Sequence, residues 1–105
     1  MICTIVGVPT PDRVIIDGGQ KTFTSYAPTP YGYILEHPEA KIYGVSVEHG
    51  HVDVSEVDHT FEVGEKLSVI PLHQGMTTNL YDTVYAVRKG EIEAAWRVSG
   101  RGRVQ

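Results

Sequence analysis

Five histidines carry most of the chemistry this sequence could do, because an imidazole exchanges protons near neutrality and also ligates borderline metals. His73 follows Pro71 and Leu72 at the exit of an apolar run. It opens a segment, Gln74-Gly75-Met76-Thr77-Thr78-Asn79, that is rich in hydroxyl and amide groups. A neutral ring there could ligate zinc or manganese, or it could hydrogen-bond to loop backbone, which is the plainer reading. His49 and His51 stand two apart and would share a face if they lay on one strand. They fall at an expected turn, Glu48-His49-Gly50-His51, where alternation ends, so a solvated hairpin tip is the reading. His37 precedes Pro38 and shapes a turn, and His59 lies in a polar loop. Lys21, Lys41, Lys66 and Lys89 could form Schiff bases only if desolvated. Lys89 at a turn and Lys41 and Lys66 at strand starts read as exposed, whereas Lys21, after a double glycine, stays open. Tyr26, Tyr31, Tyr33, Tyr43, Tyr81 and Tyr85 suit half-buried barrel positions or interface anchors. No G-x-S-x-G elbow, Walker loop or H-E-x-x-H pair occurs.

The elements that must position these groups read as short strands. Val, Ile and Thr number 31 against 9 for Leu and Ala, and β-branched side chains fit a pleated surface better than a helix. The 11 Gly and 6 Pro are spread along the chain as breaks. Residues 2–8, 12–17, 31–35 and 66–70 read as strands, and 40–54 as a hairpin with Lys41, Tyr43, Val45 and Val47 on one face. Gly18-Gly19 ends the second strand in a turn where positive φ is cheap. Residues 20–30 read as a connecting loop with one helical turn at its start and Phe23 and Tyr26 as anchors. The last hairpin runs from 83 to 98, turning at Arg88-Lys89-Gly90. Ile92, Ala94, Trp96 and Val98 alternate there with polar or small residues, which predicts one dry and one wet face. Seven to eight strands at this spacing predict an all-β fold, a small barrel.

Composition sets the outer bounds. With 105 residues, 41% hydrophobic and 21% charged, the chain is sized and balanced for a single globular domain spanning 1–105. No apolar run approaches the roughly 20 residues of a membrane helix, and no leader pattern opens the chain, so a cytoplasmic protein is expected. Cys3 is the single cysteine, which excludes an internal disulfide and a multi-cysteine zinc module. The net charge is -4, and the basic cluster is confined to Arg97, Arg101 and Arg103, which argues against a nucleic-acid partner.

Taken in order, several segments are familiar. Asp12-Arg13-Val14-Ile15-Ile16-Asp17-Gly18-Gly19-Gln20-Lys21, Glu48-His49-Gly50, the run from Val69 through His73 to Leu80, and the ending from Trp96 to Gln105 resemble the C-terminal domain of the D-threonine aldolase and D-serine dehydratase-like family. The resemblance implies an all-β barrel like the C-terminal domain of alanine racemase-type enzymes. It implies a partner, an alanine-racemase-like barrel that holds pyridoxal phosphate and the Schiff-base lysine, and a small D-amino acid substrate. It also implies a homo-oligomer. His73 matches the family's metal-ligating histidine, with zinc or manganese as the metal, and Gly75 occupies the second ligand position. Lys21 matches a family lysine other than the Schiff-base one, so no residue of this chain is assigned a catalytic role. The expected function is therefore the capping and metal-site domain of a pyridoxal-phosphate lyase acting on D-3-hydroxy amino acids, inert by itself. The alternative is a non-enzymatic binding or assembly module, to which the glycine at position 75 points.

Overall fold

The computed structural model describes residues 1–24 and 29–103; Tyr26, expected as a loop anchor, lies outside them. Among the described residues eight strands and two short helices follow in the order β1 Ile2–Thr10, β2 Arg13–Ile16, α1 Gln20–Phe23, β3 Gly32–Ile34, β4 Lys41–Val45, β5 Gly50–Asp53, β6 Lys66–Pro71, α2 Gln74–Thr78, β7 Thr83–Arg88 and β8 Glu91–Arg97. Six strands close into a barrel in the order β1-β2-β5-β4-β3-β6, and β7 and β8 form a separate two-stranded sheet. The expected all-β barrel is therefore present, with two of the eight strands standing outside it.

Alternation builds the barrel interior. Cys3 and Ile5 of β1, Val14 and Ile16 of β2, Ile34, Ile42, Val52, Leu67 and Val69 are each at most 2% exposed and form one core. Fully burying such a side chain contributes about 1.5–3 kcal/mol. Two phenylalanines close the ends of this core: Phe23 from α1, and Phe61 from the loop after β5. The Cys3 thiol is held up at about 11, by burial first and by the nearby Asp17 carboxylate second.

Single-residue bulges correct the strand faces read from spacing. Between β4 and β5 the register steps from Ile42↔Val52 to Gly44↔His51, so Tyr43 is the extra residue. Tyr43 consequently stays outside with Lys41, while Val45 turns in against the core, and Val47 falls beyond the strand. The same event in β8 leaves Glu93 extra between Ala86↔Ala94 and Val87↔Ile92. Ile92 thereby joins Tyr85, Val87 and Ala95, while Trp96 faces the same way as Val84, Ala86 and Ala94. A bulge inverts the faces beyond it, so both faces of the hairpin are apolar and neither is dry. Tyr85, Val87, Ile92 and Trp96 are 60%, 60%, 65% and 58% exposed. Lys89 and Gly90 take positive φ of 51° and 82° at its tip, the geometry a two-residue hairpin turn requires.

Gly18 and Gly19 serve a purpose other than the positive φ expected of them. A Cβ on Gly18 would lie 2.5 Å from Phe23 Cε2, and one on Gly19 would lie 2.5 Å from the backbone of Ser46, Glu48 and His49. They are small because α1 and the β4–β5 turn pack directly on them.

Candidate functional site

Because every barrel pairing is antiparallel, the connections segregate. The β1–β2, β3–β4 and β5–β6 loops lie at one end. The segment with α1, the β4–β5 turn and the exit of β6 into α2 lie at the other. This second end is knitted across elements. Gln20 and Lys21 donate their amides to Ser46 O and Val47 O at 2.9 and 3.2 Å, and Lys21 Nζ pairs with Glu48. The buried Thr77 hydroxyl of α2 donates to Phe23 O of α1 at 2.9 Å, and Tyr81 donates to Thr22 O at 3.1 Å. Burial raises the Tyr81 phenol, which keeps it a donor.

His73 stands at the start of α2. Its Nδ1 accepts the Met76 amide at 3.2 Å, so the ring caps the helix in the way a serine or aspartate oxygen usually does. The ring lines a cleft of about 510 Å³ whose walls also include Thr24, Met76, Asn79, Leu80 and Val98. Val98 follows β8 and donates to Asp82 O at 2.9 Å, so the cleft lies at the foot of the hairpin. Arg101 and Asp82 fasten the same foot at 2.7 Å. A Cβ built on Gly75 would lie 3.6 Å from His73 Cε1 and 3.9 Å from Nδ1, an ordinary contact. Position 75 is thus beside the imidazole, where a second donor would stand, and glycine brings none. Among the described residues no group of three or more His, Cys, Asp or Glu side chains is placed to hold a metal. The cleft wall supplies hydroxyl and amide groups but no carboxylate or thiolate. One imidazole falls short of the three or four protein ligands of a closed metal site, so these residues do not by themselves fit a divalent ion.

The other expected site residues disperse. All four lysines are exposed, and Lys66 donates to Thr4 Oγ1 at 2.6 Å, so none is a desolvated amine. His49 sits exposed in the β4–β5 turn, as its spacing suggests. His51 instead belongs to β5, half-buried with its ring centroid 6.2 Å from that of Tyr43.

A cluster at the opposite end was not read from spacing. His37 stacks on His59 with centroids 5.1 Å apart, and Phe61 meets both rings edge-on at 5.0 and 4.6 Å. His59 Nε2 meets Glu65 Oε2 at 2.9 Å, and the Glu62 amide donates to the same carboxylate. The His59 bond first, with the Glu62 amide helping it against the opposing effect of burial, holds the Glu65 carboxyl below its ordinary value. This cluster fastens the long β5–β6 loop over the barrel end. Nothing in sequence announces it, because His37 and His59 belong to different loops.

A six-stranded barrel with an α2 cleft at one mouth and a separate two-stranded hairpin defines a small β-barrel domain. Residues 1–87 match the serine dehydratase domain family, and the chain belongs to it. It is 34% identical over 102 residues to a D-threonine aldolase of Arthrobacter, which is 97% of this chain and 26% of that enzyme. It is 35% identical over 94 residues to an uncharacterised protein of Mycobacterium tuberculosis, which is 87% of this chain and 71% of that protein. The crystal structure of D-threonine aldolase from Filomicrobium marinum superposes with a TM-score of 0.85 at 24% identity, over 99% of this chain and 28% of that one. The chain therefore spans about a quarter of the length of the aldolases it matches. Among the described residues no helix is long and apolar enough to cross a membrane.

Proposed function

We propose that this chain is the capping β-domain of a cytoplasmic pyridoxal-phosphate lyase that cleaves or dehydrates D-3-hydroxy amino acids. The observation that carries the reading is the unfinished state of one end of the molecule. The His73 cleft opens at the foot of a hairpin whose Tyr85, Val87, Ile92 and Trp96 are all more than half exposed. Apolar surface of that kind marks a docking site. The occupant we propose is an alanine-racemase-like barrel that brings the cofactor and its lysine, in a homo-oligomeric assembly. Pyridoxal phosphate, when bound there, supplies the electron sink for breaking a bond at the amino acid's α-carbon side. This chain's share is to close the site against water and to hold His73 beside the substrate's 3-hydroxyl. The family's metal at His73 would need its remaining ligands from outside this chain.

The test is a graft. The chain replaces the C-terminal quarter of the Arthrobacter aldolase, and D-threonine cleavage is compared with that of the truncated barrel alone. The 105-residue chain with free cofactor should be inert, and the graft should exceed the truncated barrel. A graft that folds and binds cofactor yet cleaves no faster than the barrel alone sinks the reading.

A second reading, a non-enzymatic assembly module, has one observation in its favour. The mycobacterial relative is mostly this domain, since the match fills 71% of it. Stable docking to the barrel without any gain in turnover would favour the module.

A further inference from the structure

We infer, resting on the function proposed above, that the α2 cleft reads the group on the substrate's third carbon, accepting an uncharged, apolar one and rejecting a second carboxylate. Met76 and Leu80 stand four apart along α2 and the turn after it, so they share one face. A different side of the helix is anchored by Thr77, which is buried and donates to Phe23 O at 2.9 Å. That anchor fixes the outer face, yet Met76 and Leu80 are 42% and 39% exposed on it. Val98 joins them from the foot of the hairpin, and Thr78 and Asn79 complete the wall with neutral polar groups. Apolar walls with a few uncharged hydrogen-bonding groups suit an uncharged organic substituent.

Charge points the same way. Among the described residues no lysine or arginine lines the cleft. The cations of the surrounding segments are engaged or turned elsewhere. Arg101 is held by Asp82 at 2.7 Å, and Lys21 of α1 pairs with Glu48. Arg97 stands one residue before Val98, so its side chain takes the other face of the hairpin. A carboxylate drawn into the cleft would exchange water for a wall without a counter-ion, which is costly. A methyl or phenyl group would instead cover Met76, Leu80 and Val98 and gain from doing so. Discrimination of this kind is built as much from the penalty on the wrong ligand as from contacts to the right one.

The experiment compares D-threonine and D-phenylserine with D-3-hydroxyaspartate in the graft described above. Its kcat/KM should be lower for the dicarboxylate by about tenfold or more. Leu80→Arg should narrow that ratio by about tenfold, and Leu80→Gln, polar but uncharged, should narrow it less. Equal turnover of the three substrates, or a Leu80→Arg graft that changes all three alike, overturns the inference; the partner barrel, and not the substrate, then covers this wall. The whole chain alone gives a second readout that needs no turnover. In methyl-detected NMR the Met76, Leu80 and Val98 signals should shift saturably with D-phenylserine and stay in place with D-3-hydroxyaspartate. Equal shifts with both, or none with either, also overturn the inference. A graft that folds, binds cofactor and cleaves nothing sinks the function proposed above, while the methyl shifts still decide what the cleft accepts.

Discussion

In the barrel, Ile16, Ile42 and Val52 are completely buried; in the hairpin, Tyr85, Val87, Ile92 and Trp96 are 58–65% exposed. Both regions are written in the same alternation of apolar and polar residues. The barrel buries its apolar face by closing on itself, so every pair of neighbours supplies the cover. A two-stranded sheet has no such means and is marginal alone in water. The difference teaches that alternation states which residues want cover, whereas closure decides whether the chain provides it. The hairpin's apolar side chains lack that cover, which is why the proposed docking face is sought there and not on the barrel wall.

The largest effect that would break this contrast lies inside the barrel. Ile42→Ala should cost about 2–5 kcal/mol in a denaturant melt, because the closed sheet cannot collapse onto the void. A cost near zero would mean that the barrel is not the stabilising unit. On the hairpin, Ile92→Ala should change the same melt by less than about 0.5 kcal/mol, as for an exposed site without partners. It should nonetheless weaken association with the barrel partner or with a second copy, read by light scattering. A hairpin substitution as costly as a core one would show that the two regions share a core.

The smallest effect sharpens the comparison at the barrel's closed end. The Glu65 carboxyl lies below its ordinary value in the folded chain, chiefly through His59. A depressed carboxyl stabilises above the unfolded value, and that contribution is lost as pH falls through the folded one. Stability should therefore decline as acid takes the solution below about pH 4.5, the ordinary value for this group, and Glu65→Gln should flatten that decline. The hairpin's signals should not follow it.

Much of the fold was legible. All eight strands are where β-branched runs and breaks put them, and the helical turn at Gln20–Phe23 follows the double glycine. What could not be read were the bulges at Tyr43 and Glu93, because an extra residue in a ladder has no residue type of its own. Those two residues alone moved Val45 inward and separated Ile92 from Trp96. At the site, the adjacency of His73 and Gly75 followed from resemblance. The capping bond to Met76 did not, since it depends on where α2 begins. His37, His59 and Glu65 meet only because the barrel brings the β3–β4 and β5–β6 loops to one rim, a relation invisible to local spacing.

The seclusion of Cys3 gives the molecule a built-in clock. With 1% of its surface accessible and its thiol proton held to about pH 11, it can meet an alkylating reagent only when β1 parts from its neighbours. The labelling rate of this one atom, followed by mass spectrometry, therefore counts the openings of the barrel under native conditions. It would time how far a docked partner slows them.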